Sequence, residues 1–238
     1  MTVAVFATGL QDTACTFGST QSLEMSKADF GTFTVAKFAL SFWFYRDGST
    51  SGNQYVYGID NTSDLSALAF YVLFDLAGKM RFRGALSGSF NGDYESSGTY
   101  AVAEQAWHHV LIHYDAANGI SPNRLKVWID GTEDTGGTYT YPTSTTGVNS
   151  SGSGIRLIGA GNLSGVASDN WEGDLYQVAM FDNYLPAIGD VYNSGAVSIL
   201  GVPNKKFFLP FKKNIVGDQV LSTEWTNNNS VTTTTNRP

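Results

Sequence analysis

The stretch "WHHVLIHYDAANG", residues 107–119, holds every histidine of the chain: His108, His109 and His113. Three histidines this close together invite a metal-site reading, but the residues around them decide otherwise. Val, Leu, Ile, Trp and Tyr dominate, and the turn signal Asn118-Gly119 follows. That is the pattern of a strand running into a turn. On a strand, His108 and His109 point to opposite faces. His109 and His113 share a face but stand about 13 Å apart at ~3.3 Å per residue. A zinc ion needs ligands at about 2.0–2.1 Å, so no two of these meet at one ion without help from elsewhere. The helical His-Glu-x-x-His frame is also absent. The histidines read as polar positions inside or beside the core of a β-sandwich.

Composition around this strand agrees. The 238 residues are 42% hydrophobic and 13% aromatic, enough to bury one sizeable core. Gly, Ser, Thr and Asn are abundant and charges are sparse, the texture of many short strands joined by polar turns. The formal net charge is −7 and no Lys/Arg cluster tracks along a face, which argues against nucleic acid. The single cysteine, Cys15, excludes an internal disulfide framework. The opening "MTVAVFATGLQD" lacks a basic region and its apolar run is short, so neither a signal peptide nor a transmembrane span is expected.

Further strands are expected at "FALSFWFYR" (Phe38 to Arg46), "QYVYGID", "ALAFYVLFDL", "KMRFRGAL", "RLKVWIDG" (Arg124 to Gly131), "GIRLIGAG" and "WEGDLYQVAMFDNYL". The first carries apolar residues on both faces, as suits a strand covered on both sides. "SGSFNGDYESSG" and residues 134–154 read as loops, and "PAIGDVYNSG" as one short helical turn. Strands at this spacing with polar turns predict an all-β antiparallel jelly-roll sandwich with very little helix.

Several of these pieces, in this order, resemble one family. "FALSFWFYRDG", "GKMRFRG", "AWHHVLIHYDAANG", "RLKVWIDG", "GIRLIGAG", "WEGDLYQVAMFDNYLP" and "VYNSG" together resemble the laminin-G-like, concanavalin A-like jelly-roll domain, from about Ser22 to Gly195. The resemblance implies that Trp-His-His-Val is a structural strand signature. It divides the chain into a jelly roll over 1–200, an extension over 201–225 packing on the sandwich or a neighbour, and a polar low-complexity tail over 226–238. The closing run "KKFFLPFKKNIVGDQ…TEWTNNNSV" resembles the end of laminin-G-like proteins among bacteriophage structural proteins. That implies a virion component made in the host cytoplasm, whose partners are other virion proteins or copies of itself. Phe207, Phe208, Phe211 and Trp225 are the expected partner contacts, being too apolar for a solvated extension; folding back onto the sandwich is the alternative for them. The tail is expected to order only on a partner, because alone it gains too little burial.

The same superfamily contains glycoside hydrolases with a Glu-x-Asp-x-x-Glu strand. Retaining enzymes need two carboxylates about 5–5.5 Å apart. The nearest string here is Glu172, Asp174 and Gln177, and an amide cannot serve as a general acid. Glu172 and Asp174 read as a solvated face of the last jelly-roll strand. No catalytic residue is expected, and a hydrolase is the weakest reading. Calcium, which prefers 6–8 oxygen ligands, is a cofactor of many such domains. Tyr176 and Gln177 stand where bacterial relatives carry acids, so no cofactor or metal site is expected. Asp47, Asp60, Asp64, Asp93 and Asp169 read as loop residues that solvent would satisfy. Lectin-like sites stack sugars on aromatics and bind them with Asn and Asp. The candidates are Asn53, Tyr55, Phe90, Asn91, Asp93, Tyr94, Tyr139 and Tyr141, all taken as loop positions. The leading expectation is a non-enzymatic phage structural or decoration protein using a lectin-like domain for packing or adhesion, with cell-surface glycan as a further partner. A free carbohydrate-binding protein is the alternative. Neither nucleic acid nor membrane is an expected partner.

Overall fold

The computed structural model describes residues 14–18, 21–26, 33–47, 52–60, 69–101, 104–148, 155–163, 166–168, 170–194, 199–209, 226–228 and 232–234. In chain order the strands begin with β1 (Ala14–Phe17), β2 (Ser22–Ser26), β3 (Lys37–Arg46), β4 (Gln54–Asp60), β5 (Phe70–Phe74) and β6 (Met80–Leu86). They continue with β7 (Ser89–Glu95), β8 (Trp107–Asp115), β9 (Leu125–Ile129), β10 (Thr132–Glu133), β11 (Thr138–Thr140) and β12 (Ile155–Ile158). The last are β13 (Gly161–Leu163), β14 (Val166–Ser168), β15 (Gly173–Asp182), β16 (Lys205–Leu209), β17 (Thr226–Asn228) and β18 (Thr232–Thr234). One four-residue helix, α1 (Ile188–Val191), follows β15. The protein is thus the all-β jelly-roll sandwich that its pattern predicts.

Two eight-stranded antiparallel sheets face each other. The first runs β10-β9-β8-β3-β15-β1-β18, with β16 also on β15; the second runs β11-β7-β6-β5-β4-β12-β2-β17. Alternation on β3 and β8 explains the packing. Phe38, Leu40, Phe42 and Phe44 turn inward with Val110, Ile112 and Tyr114. Each such side chain contributes roughly 1.5–3 kcal/mol of burial, so a one-residue slip that reverses faces is strongly opposed. Outward, Ala39, Leu111, Ala179, Phe181 and Phe208 are covered by Tyr184, Leu185, Ile188, Val191, Ile199 and Val202. This cover is why β3 is apolar on both faces.

Three sequence readings change. "SFNGDYE" is strand β7, and Thr138–Thr140 in the supposed long loop is β11 paired to it. A bulge hides β7 from any alternation test. Asn91 and Gly92 stand opposite the single residue Gly84, and Gly92 takes φ +106°. Two pieces of the supposed tail need no partner to pair, because Thr226–Asn228 pairs with β2 and Thr232–Thr234 with β1; its other residues lie outside the described ones. An existing sheet edge supplies the backbone hydrogen bonds that isolated polar residues lack. Finally, Phe207 and Phe208 are buried in this chain on opposite faces of β16, Phe207 in the core and Phe208 under the α1 cover. They are not available as partner contacts. Phe211 and Trp225 lie outside the described residues.

Candidate functional site

The outer face of the second sheet carries the candidate site. On β5 and β6, Phe70, Val72, Phe74, Met80 and Phe82 point inward, so Tyr71, Arg81 and Arg83 point out. Pairing places Tyr71 beside Arg83 and Arg83 beside Asp93; Thr140 of β11 pairs with Asp93 in turn. The bulge at Gly92 turns Asn91 and Tyr94 into the core while Phe90 and Asp93 face outward.

Arg83 is the centre of this row. Its Nε donates to both Asp93 oxygens at 3.2 and 3.1 Å, and its Nη1 donates to the Tyr71 hydroxyl at 3.3 Å. The guanidinium lies 4.7 Å from the centroid of the Phe90 ring. Tyr55 supports Tyr71 edge-on, with ring centroids 5.3 Å apart. Burial lowers the Arg83 pKa, but Tyr71 and Asp93 outweigh it and the net shift is upward, so the cation is secure. Burial likewise raises the Tyr71 phenol, which stays protonated and able to donate. Side chains of Arg83 and Asp93 remain 26% and 27% exposed, and Phe90 is 40% exposed. Among the described residues, Arg83 Nη2, the Tyr71 hydroxyl proton and the outer lone pairs of Asp93 have no protein partner. They form a fixed set of donors and acceptors at a wet surface, with an aromatic face beside them. In a parallel row, Arg81 pairs with Asp75 at 3.1 Å and Glu95 at 2.6 Å.

Of the sequence-derived candidates, Phe90 and Asp93 belong to this row and Tyr55 underpins it. Asp93 is therefore an ion-paired strand residue rather than a solvated loop aspartate. Asn53 is exposed just ahead of β4. Asn91 is no ligand residue. It is buried, its Nδ2 donates to the Tyr114 hydroxyl, Ser144 O and Gly147 O, and its Oδ1 accepts from the amides of Thr143 and Ser144. Tyr94 is fully buried and donates to Asp134 at 2.6 Å. Tyr139 and Tyr141 stack on each other at 5.6 Å and pack on the core edge. Sequence reasoning missed Tyr71 and Arg83. Their signal was present as outward positions in "FYVLF" and "MRFRG", but nothing local shows that they meet.

The family model for the concanavalin A-like lectin/glucanases superfamily matches residues 17–187. The chain belongs to this superfamily. Solved structures agree in fold. A heptameric SAP-like pentraxin from Limulus polyphemus aligns with a TM-score of 0.61 at 14% identity, over 95% of this chain and 96% of its own. A Bacteroides ovatus protein provisionally assigned as carbohydrate-binding aligns with a TM-score of 0.65 at 14% identity, over 94% of this chain and 60% of its own. The CBM40 module of the Ruminococcus gnavus IT-sialidase aligns with a TM-score of 0.52 at 10% identity, over 76% and 95%. No curated protein matches the sequence.

The superfamily's hydrolase and calcium arrangements do not fit the residues here. Asp174 is buried, not solvated, and accepts from Thr16 Oγ1 at 2.6 Å. Its strand, β15, lies inside the sheet between β3 and β1. Gln177 is also buried and takes φ +47° at a bulge where the β15–β3 register shifts. Neither Tyr176 nor Gln177 supplies a carboxylate to balance a calcium ion's charge. Among the described residues, no three His, Cys, Asp or Glu side chains are placed so that they could hold a metal ion. The histidines have protein partners. His109 faces Ser41 Oγ at 2.9 Å, His113 faces Pro186 O at 2.9 Å, and His108 pairs with Asp130 at 2.7 Å and Glu104 at 3.3 Å. The Ser41–His109 pair resembles part of a catalytic dyad, but both residues are buried. Burial lowers the His109 pKa to about 3, so its ring is a poor base.

Proposed function

We propose that this protein is a non-enzymatic glycan-binding module whose site is the Tyr71–Arg83–Asp93 row with Phe90. The observation that carries the reading is Arg83: set over Phe90 and held by Asp93 and Tyr71, it stays partly exposed, with Nη2 unpartnered among the described residues. Sugars offer hydroxyls to such donors and acceptors, and a C–H face to an exposed ring. The carbohydrate-binding names of two similar structures support the same class.

The setting proposed is a bacteriophage particle, where the module would serve adhesion or packing beside other virion proteins or copies of itself. This rests on the likeness of the closing segment to phage structural proteins. A free lectin would use the same face. Glycan-array binding of the full chain tests the module. Phe90→Ala, at a half-exposed position, should keep the melting temperature and weaken binding at least tenfold. Failure to bind any glycan, or equal binding by that variant, overturns the reading. Release of reducing ends from bound glycans would overturn the non-enzymatic part. Co-purification with assembled particles tests the setting, and absence from them favours the free lectin.

A further inference from the structure

We infer that the ligand of this face is an uncharged oligosaccharide lying across the strands, and that the face rejects acidic glycans. The inference rests on the glycan reading above and concerns which class of glycan is bound. Recognition of a sugar carboxylate or sulfate calls for a cation free to form charge-assisted hydrogen bonds. Here both outward arginines of β6 are already neutralised. Asp93 holds Arg83, while Asp75 and Glu95 both hold Arg81. Two cations thus face three carboxylates. Lys79, at the β5–β6 turn, directs its ammonium to the carbonyls of Ser96 and Ser97 at 2.9 and 2.5 Å. Even counting Lys79, these described residues carry no net positive charge, on a chain of net charge −7. An acidic sugar placed on Arg83 would bring its anion against Asp93, an unfavourable like-charge contact.

Hydroxyls suit the same atoms. A sugar hydroxyl accepts from Arg83 Nη2 or Tyr71 while donating to Asp93, and a neighbouring hydroxyl can do the reverse. A carboxylate accepts only, so it cannot satisfy Asp93. The row Tyr71, Arg83, Asp93 and Thr140 crosses four adjacent strands, about 14 Å at ~4.8 Å per strand spacing. That length suits a short oligosaccharide better than a single sugar.

The test compares matched pairs of oligosaccharides, each neutral glycan against its sialylated or uronic-acid-capped form, by array and then by calorimetry. The wild-type chain should bind the neutral member on the order of tenfold more tightly, with little dependence on salt. Asp93→Asn, which frees the Arg83 charge, should narrow or reverse that preference. Glu95→Gln, at a more exposed carboxylate, should shift it the same way through Arg81 and covers the case in which the first variant fails to fold. Tighter wild-type binding of the acidic members overturns this inference and leaves the glycan reading standing. Binding of neither class overturns both.

Discussion

Acid should unfold this protein through two of its three histidines. His109 and His113 lie on the covered face of the first sheet, and burial lowers their pKa values to about 3 and about 4. The protonated ring carries an N–H on both nitrogens, and Nδ1 of His109 has no partner among the described residues. In the unfolded chain both rings titrate near 6.5. Between that value and the folded pKa the unfolded state binds more protons, so stability falls as pH falls. From pH 7 to pH 5 the loss is about 2 kcal/mol for each ring, or roughly 4 kcal/mol together. His108 acts in the opposite sense. Burial lowers its pKa, but Asp130 and Glu104 outweigh burial and the net shift is upward. Its contribution is therefore present at low pH and is lost as pH rises through the folded value. Urea denaturation at pH 7, 6 and 5 measures the net slope. His113→Gln, whose amide can still donate to Pro186 O, should remove about half of the acid loss, and His108→Gln should deepen it. A stability constant to within about 1 kcal/mol over this range, or an unchanged slope in His113→Gln, would refute the reasoning.

Asn91→Ala should cost about 3–5 kcal/mol, because it strands several buried amides and carbonyls at once; thermal melting would show a large drop, whereas a near-neutral change would mean that the 142–148 loop is anchored elsewhere. Deleting residues 226–238 removes β17 and β18 from two sheet edges, and should lower stability by about 2–3 kcal/mol from lost ladder bonds; limited proteolysis of the intact free chain should in turn leave β17 and β18 uncut. Adding EDTA should leave the melting temperature unchanged, since Tyr176 and Gln177 supply no carboxylate and no metal-competent cluster occurs among the described residues; a drop of many degrees would reveal a metal bound to the native state.

Much of the architecture can be read from local pattern. Alternation places Phe38, Leu40, Phe42 and Phe44 on one face, and it separates His108 from His109, because side-chain direction on a strand is a property of neighbouring residues alone. The apolar second face of β3 likewise announces a cover. Composition hid β7, since "SFNGDYE" has loop-like residues and its bulge breaks the alternation. Pairing with β6 and β11 holds it as a strand, and those partners are set by tertiary contacts. The same cause sent Asn91 and Tyr94 into the core while leaving Phe90 and Asp93 outside. Asp174 looked solvated because its strand ends in polar residues, yet β1 and β3 enclose it on both sides. The candidate site shows the division most clearly. Tyr71, Arg83 and Asp93 are unremarkable outward residues on three strands, and only the register of β5, β6 and β7 brings them within hydrogen-bond reach. That register also decides the charge of the face, because Arg83 is neutralised by a residue ten positions away that must first be placed opposite it.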